Sequence, residues 1–367
     1  MKNKKVVLGM SGGIDSSVSA FLLAEMGYEV IGITFKVFEC DDIDSFKDLE
    51  GSCCSVEGIE DAAGVARILK IRHYTLNIAA EFSSSVINNF VDEYFKGRTP
   101  NPCIVCNSEI KWRKLLQIAK EMDAGFVATG HYARIRYEDS LKRFVLYKGK
   151  DENKDQSYAL WRLTQSELAN TIFPLGNYTK PEIRKIAADN KLPVANKEES
   201  FEICFIPDND YGNYLRKSNP DKINMIGEGD IILDGKIIGK HKGYPFYTIG
   251  QRRGLGVSVK EPVFVKNIIP ENNVIELGLK SDVLNHKLSA DSLNFIKYSD
   301  IKPGFMGNAK IRYKDKGSEA IVEELNGNEV IVKFKEPKTA ITPGQSLVFY
   351  EGEDVVFGGL INKKVSD

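Results

Sequence analysis

Short apolar runs alternate along the first half of the chain with stretches whose apolar residues recur every three to four positions. "KKVVLG" predicts a buried strand within residues 4–10. Residues 16–26 follow as a helix, with Val18, Phe21, Leu22 and Met26 on one face and Gly27 as its stop. "EVIGITFKVF" reads as a second strand. "IEDAAGVARILK" reads as a helix with Ile59, Ala63, Ala66 and Leu69 at helical spacing. "HYTLNI" and "GFVATG" are further strands with helical patterns between them. This alternation predicts a parallel sheet covered on both faces. Residues 179–190 predict a helix opened by a capping box, with Thr179 as cap, Pro181 in the first turn and Glu182 three residues on. After "RKSNPDKINMIGEG" the strands shorten and turns multiply. Asp234-Gly235 and Asn326-Gly327 each separate two apolar runs, a hairpin signal. The pattern divides the chain into an α/β part at residues 1–216, a small β-rich part at 217–282 and a β-barrel-like part at 283–367.

Composition narrows the class without naming a function. Of 367 residues, 42% are hydrophobic and 28% charged, which fits a globular protein of two or three domains at roughly 100–200 residues each. The net charge of −1 does not announce a nucleic-acid binder. Residues 235–260, however, carry six Lys/Arg and no acid, with Tyr244, Phe246 and Tyr247 interleaved. Such a stretch suits an RNA phosphate backbone, although a solvated hairpin has the same look. No apolar run approaches roughly 18–20 residues, so no membrane span is expected. The N-terminal residues lead straight into a strand rather than a signal peptide, and a cytoplasmic location is expected. In that reducing setting Cys40, Cys53, Cys54, Cys103, Cys106 and Cys204 read as buried, catalytic or metal-bound thiols rather than structural disulfides.

Candidate chemistry starts at "GMSGGIDS", residues 9–16, directly after the first strand. No lysine follows its glycines, so it is not the loop of phosphoryl-transfer enzymes, and the hydride-cofactor pattern is absent too. Adjacent Gly12 and Gly13 let backbone approach an anion. Ser11, Ser16 and the following helix N-terminus offer donors. This suits a pyrophosphate that leaves, with Asp15 as a candidate Mg²⁺ ligand. The loop resembles that of ATP-dependent adenylating enzymes. A second candidate lies in "GRTPNPCIVCNSEIKW", where Cys106 is placed just before a helix beginning near Ser108, a position that favours a thiolate. Cys204, in "SFEICFIPD", offers a second thiol for a persulfide cycle. Taken alone, Cys106 reads equally well as a small buried residue.

The stretches "GMSGGIDSSVSA", "CCSVEGIEDA", "GRTPNPCIVCN", "ATGHYAR", "KDQSYAL", "SFEICFI" and "YTIGQRRGLG" together resemble the tRNA-specific 2-thiouridylases, with "KIRYKD" and "TPGQ" extending the match. The resemblance implies a Rossmann-like pyrophosphatase-loop sheet followed by a small β-rich domain and a β-barrel. It implies ATP held by Gly9, Met10, Ser11, Gly12, Gly13, Ile14, Asp15, Ser16, Phe35 and Gly130. Phe35 falls where the family commonly has Met. It further implies Cys106 as nucleophile and Cys204 as persulfide carrier. Asn101, Pro102 and Cys103 fall where the family meets the target base. His131, Lys154, Asp155, Gln156, Arg312, Tyr313 and Gln345 match positions that contact tRNA. The implied partners are the tRNA anticodon loop and a persulfide donor such as a cysteine desulfurase or relay protein. Cys103 departs from the family's frequent Asp. With Cys106 and Cys204 it leaves open a [4Fe–4S] cluster in place of the persulfide pair. A small-molecule adenylating ligase and a non-catalytic tRNA-binding protein are the remaining alternatives. Cys53 and Cys54 are expected to pack in a core or steady a loop.

Overall fold

The computed structural model describes residues 3–38, 56–197, 203–206 and 208–365. Cys40, Cys53 and Cys54 lie outside the described residues. The chain forms two compact units. The first comprises Met1–Ile87, Pro102–Asn209 and Glu353–Val355; the second comprises Asn88–Asn101, Asp210–Gly352 and Val356–Asp367. The helix Asn88–Phe95 and the residues after it thus belong with the second unit, although they precede 108 residues of the first. Among the described residues, no helix is long and apolar enough to cross a membrane.

The first unit is built on strands β1 (Lys5–Gly9), β2 (Glu29–Lys36), β3 (Arg72–Asn77) and β4 (Phe126–Ala128), the hairpin β5 (Ala133–Glu138) and β6 (Arg143–Lys148), and β7 (Thr171–Ile172). Five of them form a sheet in the order β3-β2-β1-β4-β7, every pair parallel. Val6, Val7 and Leu8 point alternately to opposite faces, yet all are fully buried, so helices cover both faces. Val6 and Leu8 pack with Val18, Leu22 and Leu23 of the helix Ile14–Glu25, and with Ile183 and Ala187 of the helix Lys180–Asp189. The first of these helices starts earlier than the periodicity predicts, because Gly13 supplies an extended N-cap. Met26 is not on its buried face; it is the C-cap, and half exposed. The expected box at Thr179 forms: its N–H and Oγ1 donate to Glu182, at 2.6 and 3.0 Å.

In the second unit, β8 (Gly229–Leu233), β9 (Lys236–His241), β10 (Phe264–Ile269) and β11 (Val274–Gly278) form a sheet ordered β10-β11-β8-β9. Asp234 and Gly235, both at positive φ, turn β8 into β9 as the sequence predicts. Tyr244 and Tyr247 are buried in this part's core, so the aromatics interleaved with its lysines support packing and are not stacking platforms. Strands β12 (Leu284–Phe295), β13 (Met306–Lys310), β14 (Ser318–Asn326), β15 (Glu329–Thr339), β16 (Ser346–Glu351) and β17 (Asp354–Val365) pair in the order β12-β15-β14-β13-β16-β17. Pairing of β17 back to β12 closes a six-strand barrel around Leu288, Val332, Phe349 and Phe357. Its second hairpin turns one residue later than expected: Asn326 pairs with Glu329, leaving Gly327 and Asn328 as the turn.

Candidate active site and RNA-facing residues

The strand order reverses direction at β1, which lies between β2 and β4. In open parallel sheets, ligands gather at the carboxyl ends of strands beside such a reversal. The loop Met10–Gly13 leaves the end of β1, Phe35 lies near the end of β2, and Gly130 follows β4. The nucleotide residues expected from the sequence therefore share one edge of the sheet.

Close approach of backbones shapes this edge. Gly12 has φ +72°, and a Cβ on it would lie 2.0 Å from the Gly58 carbonyl oxygen. A Cβ on Gly130 would lie 3.0 Å from the Asp15 carbonyl carbon and the Ser16 nitrogen, so Gly130 lets β4 meet the helix start. Ser16 Oγ accepts from the Ser11 N–H at 3.1 Å and donates to the Gly13 carbonyl at 3.1 Å, which holds the loop curled over the helix N-terminus.

A lysine does reach this loop, though not from the sequence beside it. Lys180, first residue of its helix and almost fully buried, places Nζ 2.8 and 2.9 Å from the two Asp15 carboxylate oxygens. Tyr132 donates its hydroxyl to Asp15 Oδ1 at 2.6 Å. The Lys180 N–H in turn donates to Asp151 at 2.9 Å, which fixes where the lysine starts. Asp15 is the loop's one carboxylate and already faces an ammonium, so these residues as they stand do not fit a Mg²⁺ ion. Neither Lys180 nor Tyr132 carried a sequence signal for this role. The capping box marked the helix start but not what its first side chain would touch.

Polar contacts extend from the loop toward the thiols. The Tyr132 N–H donates to Gln156 Oε1, and the Gln156 N–H donates to the Tyr132 carbonyl, both at 2.9 Å. Asn107, next to Cys106 and buried, donates through Nδ2 to the Ala159 carbonyl at 3.1 Å. Its Oδ1 meets no partner among the described residues. Cys106 does not precede a helix. The helical run starts at Pro102, passes through a π-helical stretch Cys106–Trp112 and continues to Glu121. The helix-start argument for a thiolate therefore applies to Cys103, which is exposed in the first turn, and not to Cys106, because the dipole fades within one turn. Cys106 and Cys204 are both partly buried. Phe205 anchors the Cys204 turn edge-on against Phe82, with ring centres 5.9 Å apart. Among the described residues, no three of His, Cys, Asp or Glu gather as a metal-holding group.

The positions matched to tRNA contact differ in what they can offer. Asp155 is buried, and its oxygens accept from the Gly149 and Ser157 N–H groups and the Ser157 hydroxyl. Its role here is to shape the turn that carries Lys154 and Gln156. His131 shares a 2.8 Å hydrogen bond with Thr129 and packs between Trp112 and Phe173. Burial, then the charge of Lys111, pushes its pKa down to about 3, so it is neutral near pH 7. Arg312 and Tyr313 are exposed on a turn after β13. Asp315 builds this turn, accepting from the Ile311 and Gly317 N–H groups and from the buried Lys338 ammonium. Gln345 donates Nε2 to the Thr99 and Pro100 carbonyls at 3.0 and 3.2 Å. Arg252 and Arg253 are exposed, whereas Lys240 is paired with Asp230.

A family model described as a tRNA methyl transferase HUP domain matches residues 4–208. A tRNA methyl transferase PRC-barrel domain matches residues 217–278, and an aminomethyltransferase beta-barrel domain matches residues 285–361. The chain is 49% identical over 363 residues to tRNA-specific 2-thiouridylase MnmA 1 of Caldanaerobacter subterraneus subsp. tengcongensis, covering 99% of both chains. It belongs to the tRNA-specific 2-thiouridylase family. A second member, MnmA of Salinibacter ruber, is 47% identical over 364 residues, covering 99% of this chain and 95% of its own. MnmA 2 of Thermoanaerobacter sp. is 48% identical, covering 99% of both. The similarity thus runs through the parallel-sheet part, the small β-rich part and the barrel, in the order the sequence pattern predicts.

Proposed function

We propose that this protein is a tRNA 2-thiouridylase, a transferase that replaces the C2 oxygen of a wobble uridine with sulfur at the expense of ATP. The observation that carries this reading is the end-to-end similarity to 2-thiouridylases, joined to an S-G-G-x-D-S loop at the reversal point of a parallel sheet. The "methyl transferase" wording of the matching models describes a different group transfer. An adenylating loop and two thiols serve sulfur delivery instead.

In this reading residues 9–16, Phe35 and Gly130 hold ATP. The uridine C2 oxygen attacks the α-phosphorus and pyrophosphate leaves, its charge met by the loop N–H groups and by Lys180. A persulfide on Cys204, loaded by a cysteine desulfurase or relay protein, attacks C2 through its terminal sulfur and AMP departs. The Cys106 thiolate attacks Cys204 Sγ, which breaks the bond to the transferred sulfur and leaves that electron pair on the new thiocarbonyl group. A Cys106–Cys204 disulfide remains, and a thiol reductant in the cytoplasm resets it. Asn101, Pro102 and Cys103 meet the base, which must leave its stack to be reached. Lys154, Gln156, Arg312 and Tyr313, with Arg252 and Arg253, meet the tRNA. Residues 1–216 serve adenylation and sulfur transfer, and residues 217–282 and 283–367 serve tRNA.

The test is mass spectrometry of tRNA nucleosides after incubation with ATP, a desulfurase and cysteine. 2-Thiouridine should appear in wild-type protein and vanish in Cys106→Ser and Cys204→Ser. AMP release without any 2-thiouridine, or activity that survives both changes, would sink the assignment.

A further inference from the structure

The carbonyl of Met10 and the N–H of Ser11 share one peptide plane, the plane from which the glycines of the nucleotide loop depart. Each is held by a different side chain. Thr34 of β2, buried, donates its hydroxyl to the Met10 carbonyl at 2.9 Å. Ser16 Oγ accepts from the Ser11 N–H at 3.1 Å. The Met10 N–H donates to the Ile33 carbonyl at 2.8 Å, so both main-chain groups of Met10 are bonded to β2. A third side chain joins from β3: His73 Nε2 lies 2.8 Å from Thr34 Oγ1. Thr34 has one hydroxyl proton, and it points at Met10, so toward His73 the hydroxyl can only accept. His73 must therefore carry a proton on Nε2. Burial holds the His73 pKa below its ordinary value, so near pH 7 the ring is neutral and that N–H is its one N–H. Gly32 makes room for the group, since a Cβ there would stand 2.5 Å from Met10 Sδ and 3.1 Å from His73 Cδ2.

We propose that Thr34 and His73 are positioning residues for ATP: His73 donates to Thr34, Thr34 donates to the Met10 carbonyl, and the peptide so fixed sets how the loop presents its donors to the phosphates. Gly12 and Gly13 follow at once and allow many backbone conformations, so the loop's orientation depends on the plane from which it starts. Without the Thr34 hydroxyl the Met10 carbonyl becomes a buried acceptor lacking that donor, which favours a turned peptide. Neither Thr34 nor His73 touches the nucleotide in this account; both act through Met10. The inference rests on the functional reading above for the identity of the ligand. It goes beyond that reading by assigning a role to side chains of β2 and β3 that the loop motif does not contain.

Thr34→Val keeps the side chain's shape and removes the hydroxyl. Thr34→Ser keeps the hydroxyl, and His73→Phe keeps a ring but removes the donor. Binding of a non-hydrolysable ATP analogue should weaken about tenfold in Thr34→Val, by less in His73→Phe, and by no more than about twofold in Thr34→Ser. In single-turnover AMP release at saturating ATP and tRNA, the rate should stay within about threefold of wild type, because the lost interaction serves bound substrate and transition state alike. Two readouts need no nucleotide. Hydrogen exchange of the Ser11 amide should quicken in Thr34→Val and not in Thr34→Ser. Nitrogen-15 NMR of the wild-type protein, which depends on no variant folding, should find His73 protonated at Nε2 and bare at Nδ1. Unchanged analogue binding in Thr34→Val, an equal loss in Thr34→Ser, a slowed saturating rate with unchanged binding, or a His73 protonated at Nδ1 alone would each overturn the proposal. If the wild-type protein binds no analogue while Ser11 exchange and the His73 tautomer come out as expected, the pinned peptide is upheld and the functional reading is what fails.

Discussion

Replacing Asp15 by Asn tests the nucleotide loop, but the structure attaches a stability cost to that change. Lys180 keeps only 8% of its side chain exposed, against 34% for Asp15. Taking the charge from Asp15 leaves a nearly buried ammonium without its carboxylate, with the Tyr132 ring 5.9 Å from Nζ. Breaking a buried pair from one side costs about 3–5 kcal/mol. With the Asp15 end one-third open to water, about 2–3 kcal/mol is the expected loss for Asp15→Asn. Lys180→Met leaves the carboxylate able to turn to water and still bonded to Tyr132, so about 1 kcal/mol is expected. The double variant should cost less than the sum of the two, with a coupling on the order of 1–2 kcal/mol. Urea unfolding at pH 7 measures all three, and ATP–pyrophosphate exchange on the same preparations separates folding from chemistry. Exchange should fall in Asp15→Asn, which no longer holds the Lys180 ammonium in place, and should fall further in the double variant, which lacks that ammonium, even though stability is largely regained there. A Lys180→Met loss equal to or above that of Asp15→Asn, or strict additivity, would refute the asymmetric pair.

His131 titrates near 6.5 in the unfolded chain but near 3 in the fold. The unfolded state therefore binds the extra proton first, and stability falls as pH drops from 6.5 toward 3, by up to about 1.4 kcal/mol per unit. His131→Gln should remove that part of the slope; parallel stability–pH curves for variant and wild type would show that His131 contributes none. Gly12→Ala should unfold the nucleotide loop or abolish ATP binding, Gly130→Ala should do less, and Gly13→Ala, whose Cβ comes no nearer than 3.5 Å to Ser11 Oγ, should be tolerated; thermal midpoints in the reverse order would contradict the packing account. Neutralising Arg252 and Arg253 together should flatten the salt dependence of tRNA binding by roughly 0.7–0.9 in log–log slope for each phosphate that the arginines no longer neutralise. An unchanged slope takes both arginines off the RNA surface.

The parallel sheet was legible because β1 and β2 are short, continuous apolar runs, and the turn at Asp234-Gly235 because two positive φ values need those residue types. The pyrophosphate loop was legible because its glycines and serines act within a few residues of one another. Lys180 was not, since its partner lies 165 positions away and no local periodicity encodes that contact. Thr-Pro-Asn-Pro reads as loop, which puts Cys106 ahead of a helix on sequence grounds. In fact Pro102 opens the helix, and a π-turn follows that single-sequence patterns do not mark. Tyr244 and Tyr247 mislead in the opposite sense, since aromatics among lysines look the same whether they stack on bases or fill a core.

The interleaving of the two units has a consequence for how the protein is made. Asn88–Asn101 leave the ribosome early but belong to a unit whose remaining residues begin at Asp210 and end with the last strand. The first unit, in turn, takes its final piece, Glu353–Val355, from within 15 residues of the C-terminus. Neither unit can be completed in order of synthesis, so the nascent chain carries unfinished surfaces for most of translation, when domains ordinarily fold one after another. An expressed fragment cut near residue 216 would lack pieces of both units, and the whole chain is the smallest reliable unit for reconstitution.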